Sequence, residues 1–279
     1  MREIFLGPPG TGKTSKLLEL VDKELDSGTP SRYIGYFAFT RMANEESINR
    51  AVTKFSLSRA ELPFFRTLHS LAFRQLELKT NQVMTDEHYQ EFGRWLGIKI
   101  LGEMDKETGA FYGNESGDEI LSLINKARIK SISVEQQWHE TNPDTPWLEV
   151  ERIDRALKIY KEQRRLMDYT DMLELFLQQK PVPFLETMFI DEAQDLNHLQ
   201  WNMVYLLETV CKRCYVAGDD DQAIFKWAGA DVNQFLKLQG NKTVLEESFR
   251  LPRTIANFAT TIVERISLRY EKHWFPRDE

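Results

Sequence analysis

The stretch GPPGTGKT, residues 7–14, constrains the fold of this chain more than any other feature of its sequence. It fits the pattern G-x-x-x-x-G-K-[ST] at every fixed position. A short apolar strand at residues 3–6 precedes it, and apolar residues at helical spacing follow from residue 13 to residue 25. In this strand–loop–helix context, backbone N–H groups curl round a polyphosphate and the helix points its positive end at the anion. We therefore predict a nucleotide-binding loop.

The residues of this loop have separate parts in holding a nucleotide. Lys13 places a point charge on the outer phosphates, and Thr14 offers its hydroxyl to Mg²⁺. The backbone of the other residues forms the cradle for the phosphates. The predicted binding residues are Gly7, Pro8, Pro9, Gly10, Thr11, Gly12, Lys13, Thr14 and Ser15.

Short apolar strands alternate with helices over most of the chain, which predicts a parallel α/β sheet. The further predicted strands are residues 33–39, 64–66, 185–190, 213–217 and 243–245. Between residues 79 and 165 the pattern changes to amphipathic helices separated by polar, glycine-rich breaks. We predict a core made of residues 1–78 and 166–279, interrupted by an all-helical subdomain at residues 79–165.

Composition and charge limit the class of protein. The net charge is −7, whereas a protein that simply coats nucleic acid is usually basic, so any nucleic acid must be held by a local groove or by stacking. The chain has two cysteines and five scattered histidines, which give no visible four-ligand zinc site. Reduced cysteines and the lack of a long apolar run predict a cytoplasmic protein without a membrane partner.

Two carboxylates end a predicted buried strand in TMFIDEAQD. Asp191 can hold Mg²⁺ through water, and Glu192 can orient and deprotonate an attacking water molecule. A strand that ends in Asp-Glu can also be an acidic helix cap. Because the phosphate loop requires such a pair, we favour the catalytic interpretation.

The stretch YVAGDDDQAIFKWAGA is a further strand with a polar tip. Gln222 is placed to reach a γ-phosphate and its attacking water. Trp227 follows closely, and exposed aromatic rings provide stacking platforms for single-stranded nucleic acid. Buried aromatic residues are more often part of a core, so both interpretations of Trp227 stay open from the residues alone.

Seven stretches, in order, resemble the motifs of UvrD/Rep-like superfamily 1 DNA helicases: GPPGTGKT, FAFTRMANEE, RTLHSLAFR, MDYTDMLEL, FIDEAQDL, VAGDDDQAIFKWAGA and LEESFRLP. The resemblance covers most of the chain and is weakest over residues 79–164. It implies a RecA-like ATPase domain with a helical insertion, the N-terminal part of such a helicase. It also implies ATP and Mg²⁺ as cofactors, and single-stranded or tailed duplex DNA as the partner.

The resemblance implies roles for individual residues as well. Phe249 stands where the family stacks adenine, Arg250 where it contacts the γ-phosphate, and Gln222 where it links the nucleotide to the DNA track. The implied catalytic residues are Lys13, Asp191, Glu192, Gln222 and Arg250, and the implied Mg²⁺ ligands are Thr14 and Asp191. The residues implied to line the DNA path are Phe39, Thr40, Thr67, His69 and Trp227; for His69 a structural role before an apolar helix remains the alternative.

The chain departs from the family pattern at both ends. Only MREIFL precedes the loop, where the family usually has a segment whose Gln reads adenine, and the sequence stops soon after ESFRLP. We therefore expect a single motor lobe whose second lobe is supplied by a longer chain or by another polypeptide.

Two other functions remain in competition. GPPGTGKT alone also suits an AAA+-like remodelling ATPase, but about 180 residues between Lys13 and Asp191 are far more than such a domain needs. A non-catalytic, nucleotide-dependent DNA-binding module would not need Glu192 and Gln222 together with the loop. The preferred prediction is an ATP-dependent DNA helicase or translocase motor domain.

Overall fold

The computed structural model of the protein describes residues 1–105, 111–113 and 115–277. The helices are α1 (Lys13–Asp26), α2 (Arg41–Phe55), α3 (Leu68–Gln75), α4 (Asp86–Leu96), α5 (Ser116–Ile129), α6 (Val134–Thr141), α7 (Trp147–Arg164), α8 (Tyr169–Gln179), α9 (His198–Glu208), α10 (Val232–Lys237) and α11 (Arg253–Val263). The strands are β1 (Arg2–Leu6), β2 (Ile34–Ala38), β3 (Phe65–Arg66), β4 (Glu103–Met104), β5 (Phe111–Tyr112), β6 (Thr187–Asp191), β7 (Arg213–Gly218), β8 (Asn241–Val244), β9 (Glu247–Pro252) and β10 (Phe275–Arg277). No helix in these ranges is long and apolar enough to cross a lipid bilayer.

The largest sheet has six strands in the order β3-β2-β6-β7-β1-β8, and all of its neighbours are parallel. The predicted α/β fold, a parallel sheet flanked by helices, is confirmed. The predicted strands of this sheet occur within about two residues of their expected limits. β2 and β6 are buried at every position, as expected of strands covered by helices on both faces.

The strand order places three motifs at one edge of this sheet. β1 and β6 are both hydrogen-bonded to β7, and Leu6 pairs with Gly218 while Ile190 pairs with Val216. Because all three strands are parallel, the segments that follow them leave from the same edge. The phosphate loop, the Asp191 region and the polar turn after β7 are therefore neighbours.

Aromatic rings fill one side of this sheet. The ring of Phe189 lies 4.9 Å from that of Tyr215 and 6.1 Å from that of Tyr36, and Tyr36 stacks on Phe65 at 5.2 Å. Each such pair contributes about 0.5–1.5 kcal/mol beyond the area it buries. These rings stand on directly paired positions, so they form a row that crosses β3, β2, β6 and β7.

The chain divides into two compact units. The first consists of Met1–Leu71, Val182–Leu196 and Val204–Glu279, and the second of Ala72–Pro181 and Asn197–Met203. The predicted insertion, residues 79–165, lies inside the second unit.

The second unit has an apolar core of its own. Phe92 of α4, Ile124 of α5 and Ile153 of α7 are all buried there. The unit also contains a short antiparallel pair, β4 and β5, which the sequence pattern did not indicate. Phe111 of β5 packs edge-to-face on Tyr89 with ring centroids 4.9 Å apart, and this contact anchors a strand too short to be recognised by alternation.

Buried charges in the second unit account for the stretch MDYTDMLEL. Asp168 caps α8 by accepting a hydrogen bond from the backbone N–H of Asp171 at 2.7 Å. Its carboxylate also forms salt bridges with Arg128 and Lys161, each at 2.8 Å. The two cations hold the pKa of Asp168 well below its usual range. The stretch therefore fastens α8 to α5 and α7 within this unit.

A second small sheet lies in the first unit. β9, which contains ESFRLP, pairs in parallel with β10. The sequence pattern did not predict this pair, because Pro252 and Pro276 interrupt both segments and prolines are depleted in strands.

Candidate nucleotide-binding site

The phosphate loop depends on two glycines in left-handed conformation. Gly10 has φ +79 and Gly12 has φ +82, a region that other residues enter only with strain. At Gly10, an added Cβ would also overlap the Cβ of Arg250. The carbonyl of Gly10 accepts a hydrogen bond from the N–H of Phe249 at 2.9 Å. β9 is therefore fastened directly against the loop.

Lys13 is held within the loop that it serves. Its side chain is buried, and Nζ donates to the carbonyl oxygen of Gly7 at 2.9 Å. The hydroxyl of Thr11 donates to the carbonyl of Pro8, also at 2.9 Å. Gly7, Pro8 and Thr11 thus shape the loop from within, and the ammonium group is pre-placed beside the phosphate cradle.

Asp191 stands at the end of β6 and faces the start of α1. Its Oδ2 accepts hydrogen bonds from the hydroxyls of Thr14 and Tyr36, each at 2.8 Å. Burial and the nearby charge of Glu192 raise the pKa of this carboxyl group. A cation would relieve both effects, and a hydroxyl beside a carboxylate is the kind of hard oxygen pair that Mg²⁺ accepts. Thr14 and Asp191 therefore fit the predicted metal site.

Glu192 and Gln222 belong to one hydrogen-bonded chain. Gln194 donates to Oε2 of Glu192 at 2.9 Å, and its Oε1 accepts from the N–H of Asp219 at 3.0 Å. Gln222 in turn donates to Oδ2 of Asp219 at 2.6 Å. Glu192 has φ +52, a conformation uncommon outside glycine and often found at functional sites. The predicted catalytic base and the predicted γ-phosphate sensor are thereby mechanically linked.

A cavity of about 560 Å³ opens in front of these groups. Ligand pockets of this kind commonly measure about 300–1,000 Å³. The cavity brings together all of the predicted catalytic residues and most of the predicted cofactor-binding ones. Its lining contains Pro9, Gly10, Gly12, Lys13, Thr14, Ser15, Asp191, Glu192, Gln222, Phe249 and Arg250. Phe249 is 70% exposed there, so one face of its ring is available to a planar base.

Three charged residues of the lining were missed by the sequence analysis. Glu46 and Arg50 of α2 form an ion pair at the cavity, and Arg277 of β10 reaches it from the other sheet. The i,i+4 spacing of Glu46 and Arg50 could only indicate a helix-surface pair. No sequence signal pointed to Arg277.

The residues predicted to contact DNA lie outside this lining. Phe39 is buried and packs on Phe225 with ring centroids 5.5 Å apart. Thr40 caps α2 by accepting from the N–H of Ala43 at 3.0 Å. Trp227 is 48% exposed. Exposure therefore favours the stacking interpretation for Trp227 over the core interpretation.

The two remaining predicted DNA contacts are on or beside α3. Thr67 and His69 are both buried, and the hydroxyl of Thr67 accepts from the N–H of Ser70 at 3.2 Å. In the present structure both residues shape the start of α3 and expose little surface to a ligand.

Asp195, in the same stretch as Asp191, is a further titratable group. Burial and then the charge of Glu192 raise its pKa to about 7. One of its oxygens, Oδ2, accepts from Gln194 at 3.1 Å, and the other finds no hydrogen-bond partner among the described residues. A carboxyl group that titrates near neutral pH therefore lies beside the candidate site.

Comparison with known proteins agrees with this geometry. The family model described as "UvrD/REP helicase N-terminal domain" matches residues 4–243. The ATP-dependent DNA helicase PcrA of Staphylococcus aureus is 24% identical over 290 residues, covering 96% of this chain and 39% of the relative. PcrA of Staphylococcus epidermidis is 23% identical over 287 residues with the same coverage. The chain thus spans about two-fifths of the length of the curated relatives it matches.

Proposed function

The chain belongs to the UvrD/REP helicase family, and from this premise we propose that it is the ATP-binding motor domain of a DNA helicase or translocase. It binds Mg²⁺ and ATP in the 560 Å³ cavity, hydrolyses the ATP and binds single-stranded DNA nearby. The observation that supports this most is the convergence of Lys13, Thr14, Asp191, Glu192 and Gln222 on one cavity. Plain binding of a nucleotide would not need this set.

The phosphates bind at the loop. Backbone N–H groups at the start of α1 and the ammonium of Lys13 receive the β- and γ-phosphates. Thr14 and Asp191 hold Mg²⁺, which when bound neutralises charge that develops on the phosphate oxygens. Lys13 exchanges its present acceptor, the carbonyl of Gly7, for phosphate oxygens, and a charge-assisted hydrogen bond of that kind is the stronger one.

Hydrolysis requires a water molecule placed in line with the γ-phosphate. Glu192 orients this water and accepts its proton, and Gln194 fixes the carboxylate by its hydrogen bond at 2.9 Å. The oxygen of this water bonds to the γ-phosphorus as the bond to the β–γ bridging oxygen breaks and ADP leaves. Gln222 contacts the γ-phosphate, and Arg250 stabilises the negative charge on its oxygens in the transition state. Both line the cavity together with Glu192.

The base of the nucleotide stacks on Phe249. That ring is 70% exposed at the cavity, and the N–H of the same residue is bonded to Gly10. The platform for the base is therefore hydrogen-bonded to the cradle for the phosphates, so the two ends of the ligand are held by directly connected segments.

DNA binds through the segment that follows Gln222. Trp227 stacks on a base, and Phe225 connects it to Phe39, with ring centroids 6.5 Å and 5.5 Å apart. Phe39 acts here by supporting the segment. Because Gln222 and Trp227 are five residues apart on one segment, loss of the γ-phosphate can change how the DNA base is held.

A second lobe completes the motor, in a longer chain or in another polypeptide. Arginines supplied to a phosphoryl-transfer site from a second element are worth about 10³–10⁵ in rate. We therefore expect residues 1–279 alone to bind ATP, to hydrolyse it slowly and not to separate a duplex.

The test measures ATP turnover by this chain with and without single-stranded DNA, and strand displacement on a 3′-tailed duplex. Slow turnover that DNA stimulates and that Lys13→Ala abolishes supports the proposal. Nucleotide binding without any Lys13-dependent turnover would contradict it and favour a non-catalytic module. Efficient unwinding by residues 1–279 alone would contradict the need for a second lobe.

A further inference from the structure

A fully buried lysine near the end of the described chain is bound by three consecutive carboxylates. The side chain of Lys272 is 0% exposed. Its Nζ lies 2.8 Å from Asp219, 2.5 Å from Asp220 and 2.9 Å from Asp221. These aspartates form the turn after β7 that carries Gln222. Lysine is rarely buried this completely unless it is paired.

The segment around Lys272 makes further contacts with this turn. Arg269 donates to both oxygens of Asp221, at 2.8 and 2.7 Å, and the N–H of Tyr270 donates to Asp220 at 2.7 Å. Residues 269–272 therefore supply two cations and one backbone N–H to the carboxylates of this turn, and of these groups Lys272 is the one that contacts Asp219. Without cations, three adjacent carboxylates in a buried turn would repel one another.

Asp219 connects this ion cluster to the predicted sensor. One of its oxygens, Oδ1, binds Lys272, and the other, Oδ2, accepts from the amide of Gln222 at 2.6 Å. Its backbone N–H is held by Gln194, which also holds Glu192. Lys272 thus fixes the orientation of the carboxylate on which the Gln222 side chain rests.

We propose that Lys272 is a positioning residue that sets the Gln222 side chain at the γ-phosphate. The proposal rests on the proposed function, because Gln222 acts by contacting the γ-phosphate of bound ATP. Lys272 itself does not line the nucleotide cavity. Its effect passes through Asp219, and a displacement of a catalytic group by about 1 Å can lower a rate about 100-fold.

The test is a double-mutant cycle in ATP turnover by residues 1–279 with single-stranded DNA, after subtraction of the Lys13→Ala background. The variants are Lys272→Met, Gln222→Ala and the combination of the two. We expect Gln222→Ala to lower kcat about 100-fold and Lys272→Met to lower it about tenfold or more with KM for ATP within about twofold. If Lys272 acts through Gln222, the double variant matches Gln222→Ala alone.

Arg269→Gln is the matched control, because it removes a cation from the same cluster without touching Asp219. We expect its kcat to stay within about twofold of the unmodified chain. If Lys272→Met does not fold, Lys272→Gln takes its place in the cycle, since its amide keeps polar atoms at this buried position but removes the charge that binds Asp219.

The outcomes separate this inference from the proposed function. Multiplicative loss in the double variant, or equal loss with Arg269→Gln, would mean that Lys272 only stabilises the fold and would overturn the inference alone. Lack of Lys13-dependent turnover in the unmodified chain would overturn the proposed function and this inference with it.

Discussion

The hydroxyl of Thr14 donates a hydrogen bond to Oδ2 of Asp191 at 2.8 Å, although 177 residues separate them in the sequence. This contact joins the phosphate loop to the end of β6. It also places two oxygen ligands side by side at the point where a nucleotide would bring its metal ion.

Replacement of Thr14 by Val keeps the shape of the side chain and removes the hydroxyl. We expect ATP affinity to lose most of its dependence on Mg²⁺, a change of about tenfold or more. Nucleotide titration with Mg²⁺ and with EDTA measures the dependence. Ser15→Ala, at the next position of the same cavity, serves as the control and keeps it. An unchanged Mg²⁺ dependence in Thr14→Val would remove Thr14 from the metal site.

Lys13→Ala is expected to abolish ATP binding or turnover and to leave the fold intact. Among the described residues the ammonium has one acceptor, the carbonyl of Gly7, so its loss should change stability by no more than about 1–3 kcal/mol. Circular dichroism with thermal melting checks the fold, and calorimetric titration checks binding. Lys16→Ala, one turn further along α1 and paired with Glu19, should bind ATP normally. Wild-type turnover in Lys13→Ala would contradict the assignment of the loop.

Glu192→Gln is expected to bind ATP with near-normal affinity and to hydrolyse it about 10²–10⁴-fold more slowly. The amide preserves the size of the side chain but cannot accept the proton of the attacking water. The readouts are ATP affinity and single-turnover hydrolysis. Glu247→Gln in β9, which is exposed and outside the cavity lining, should behave as the unmodified chain. A slow rate in both variants would point to an indirect effect.

The stability of the nucleotide-free protein should fall as pH rises through about 7, because of Asp195. Its folded-state pKa of about 7 lies above the usual 3.8, so the folded protein retains a proton that the unfolded chain releases. This contribution is fully present below about pH 4 and is lost as pH rises through about 7, with a size of a few kcal/mol.

Asp195→Asn stays neutral and should therefore raise the melting temperature at pH 8 by several degrees, and much less at pH 5. Thermal melts at the two pH values measure this difference. Asp26→Asn changes an exposed carboxylate and should keep the pH profile of the unmodified chain. Equal gains at both pH values would show that the ionisation of Asp195 is not responsible.

Trp227→Ala should weaken binding to single-stranded DNA by about 1–3 kcal/mol and leave ATP affinity unchanged. The ring is 48% exposed and follows the carboxyl end of β7. Phe184→Ala tests whether any exposed ring has this effect: it is 60% exposed but precedes the amino end of β6, at the opposite edge of the sheet. Fluorescence anisotropy with a labelled oligonucleotide gives the DNA affinity of both variants. Unchanged DNA affinity in folded Trp227→Ala would remove Trp227 from the DNA site.

Much of this site could be predicted because its residues sit at the ends of strands. The local pattern around Lys13 and Thr14 predicts a phosphate loop, and a parallel sheet places the segments that follow its strands at the same edge. Asp191 and Glu192 could therefore be predicted from the sequence alone. The strand order could not be read in the same way, because it depends on pairings between residues far apart in sequence.

Other features lacked a local signal. Lys272 lies in a polar stretch, which predicts an exposed side chain. Only the folded chain brings this side chain into contact with Asp219. Arg277 reaches the nucleotide cavity because β10 pairs with β9. Phe39 matched a DNA-binding position, yet the turn that carries Phe225 covers it. Each of these placements depends on contacts between residues far apart in sequence, and sequence periodicity does not predict such contacts.

The position of β1 between β7 and the edge strand β8 has a consequence for synthesis of the protein. This strand pairs with β7 and β8, with Arg2 opposite Cys214 and Glu3 opposite Asn241. On the ribosome it emerges roughly 210 residues before β7, an interval of about 10–40 s at translation rates of about 5–20 residues per second. Throughout that time β1 has neither of its partner strands. The phosphate loop that follows β1 also lacks its contacts with β7. A nascent chain released before β7 would therefore expose β1 unpaired, next to a phosphate loop that lacks the hydrogen bond from the N–H of Gly7 to the carbonyl of Gly218.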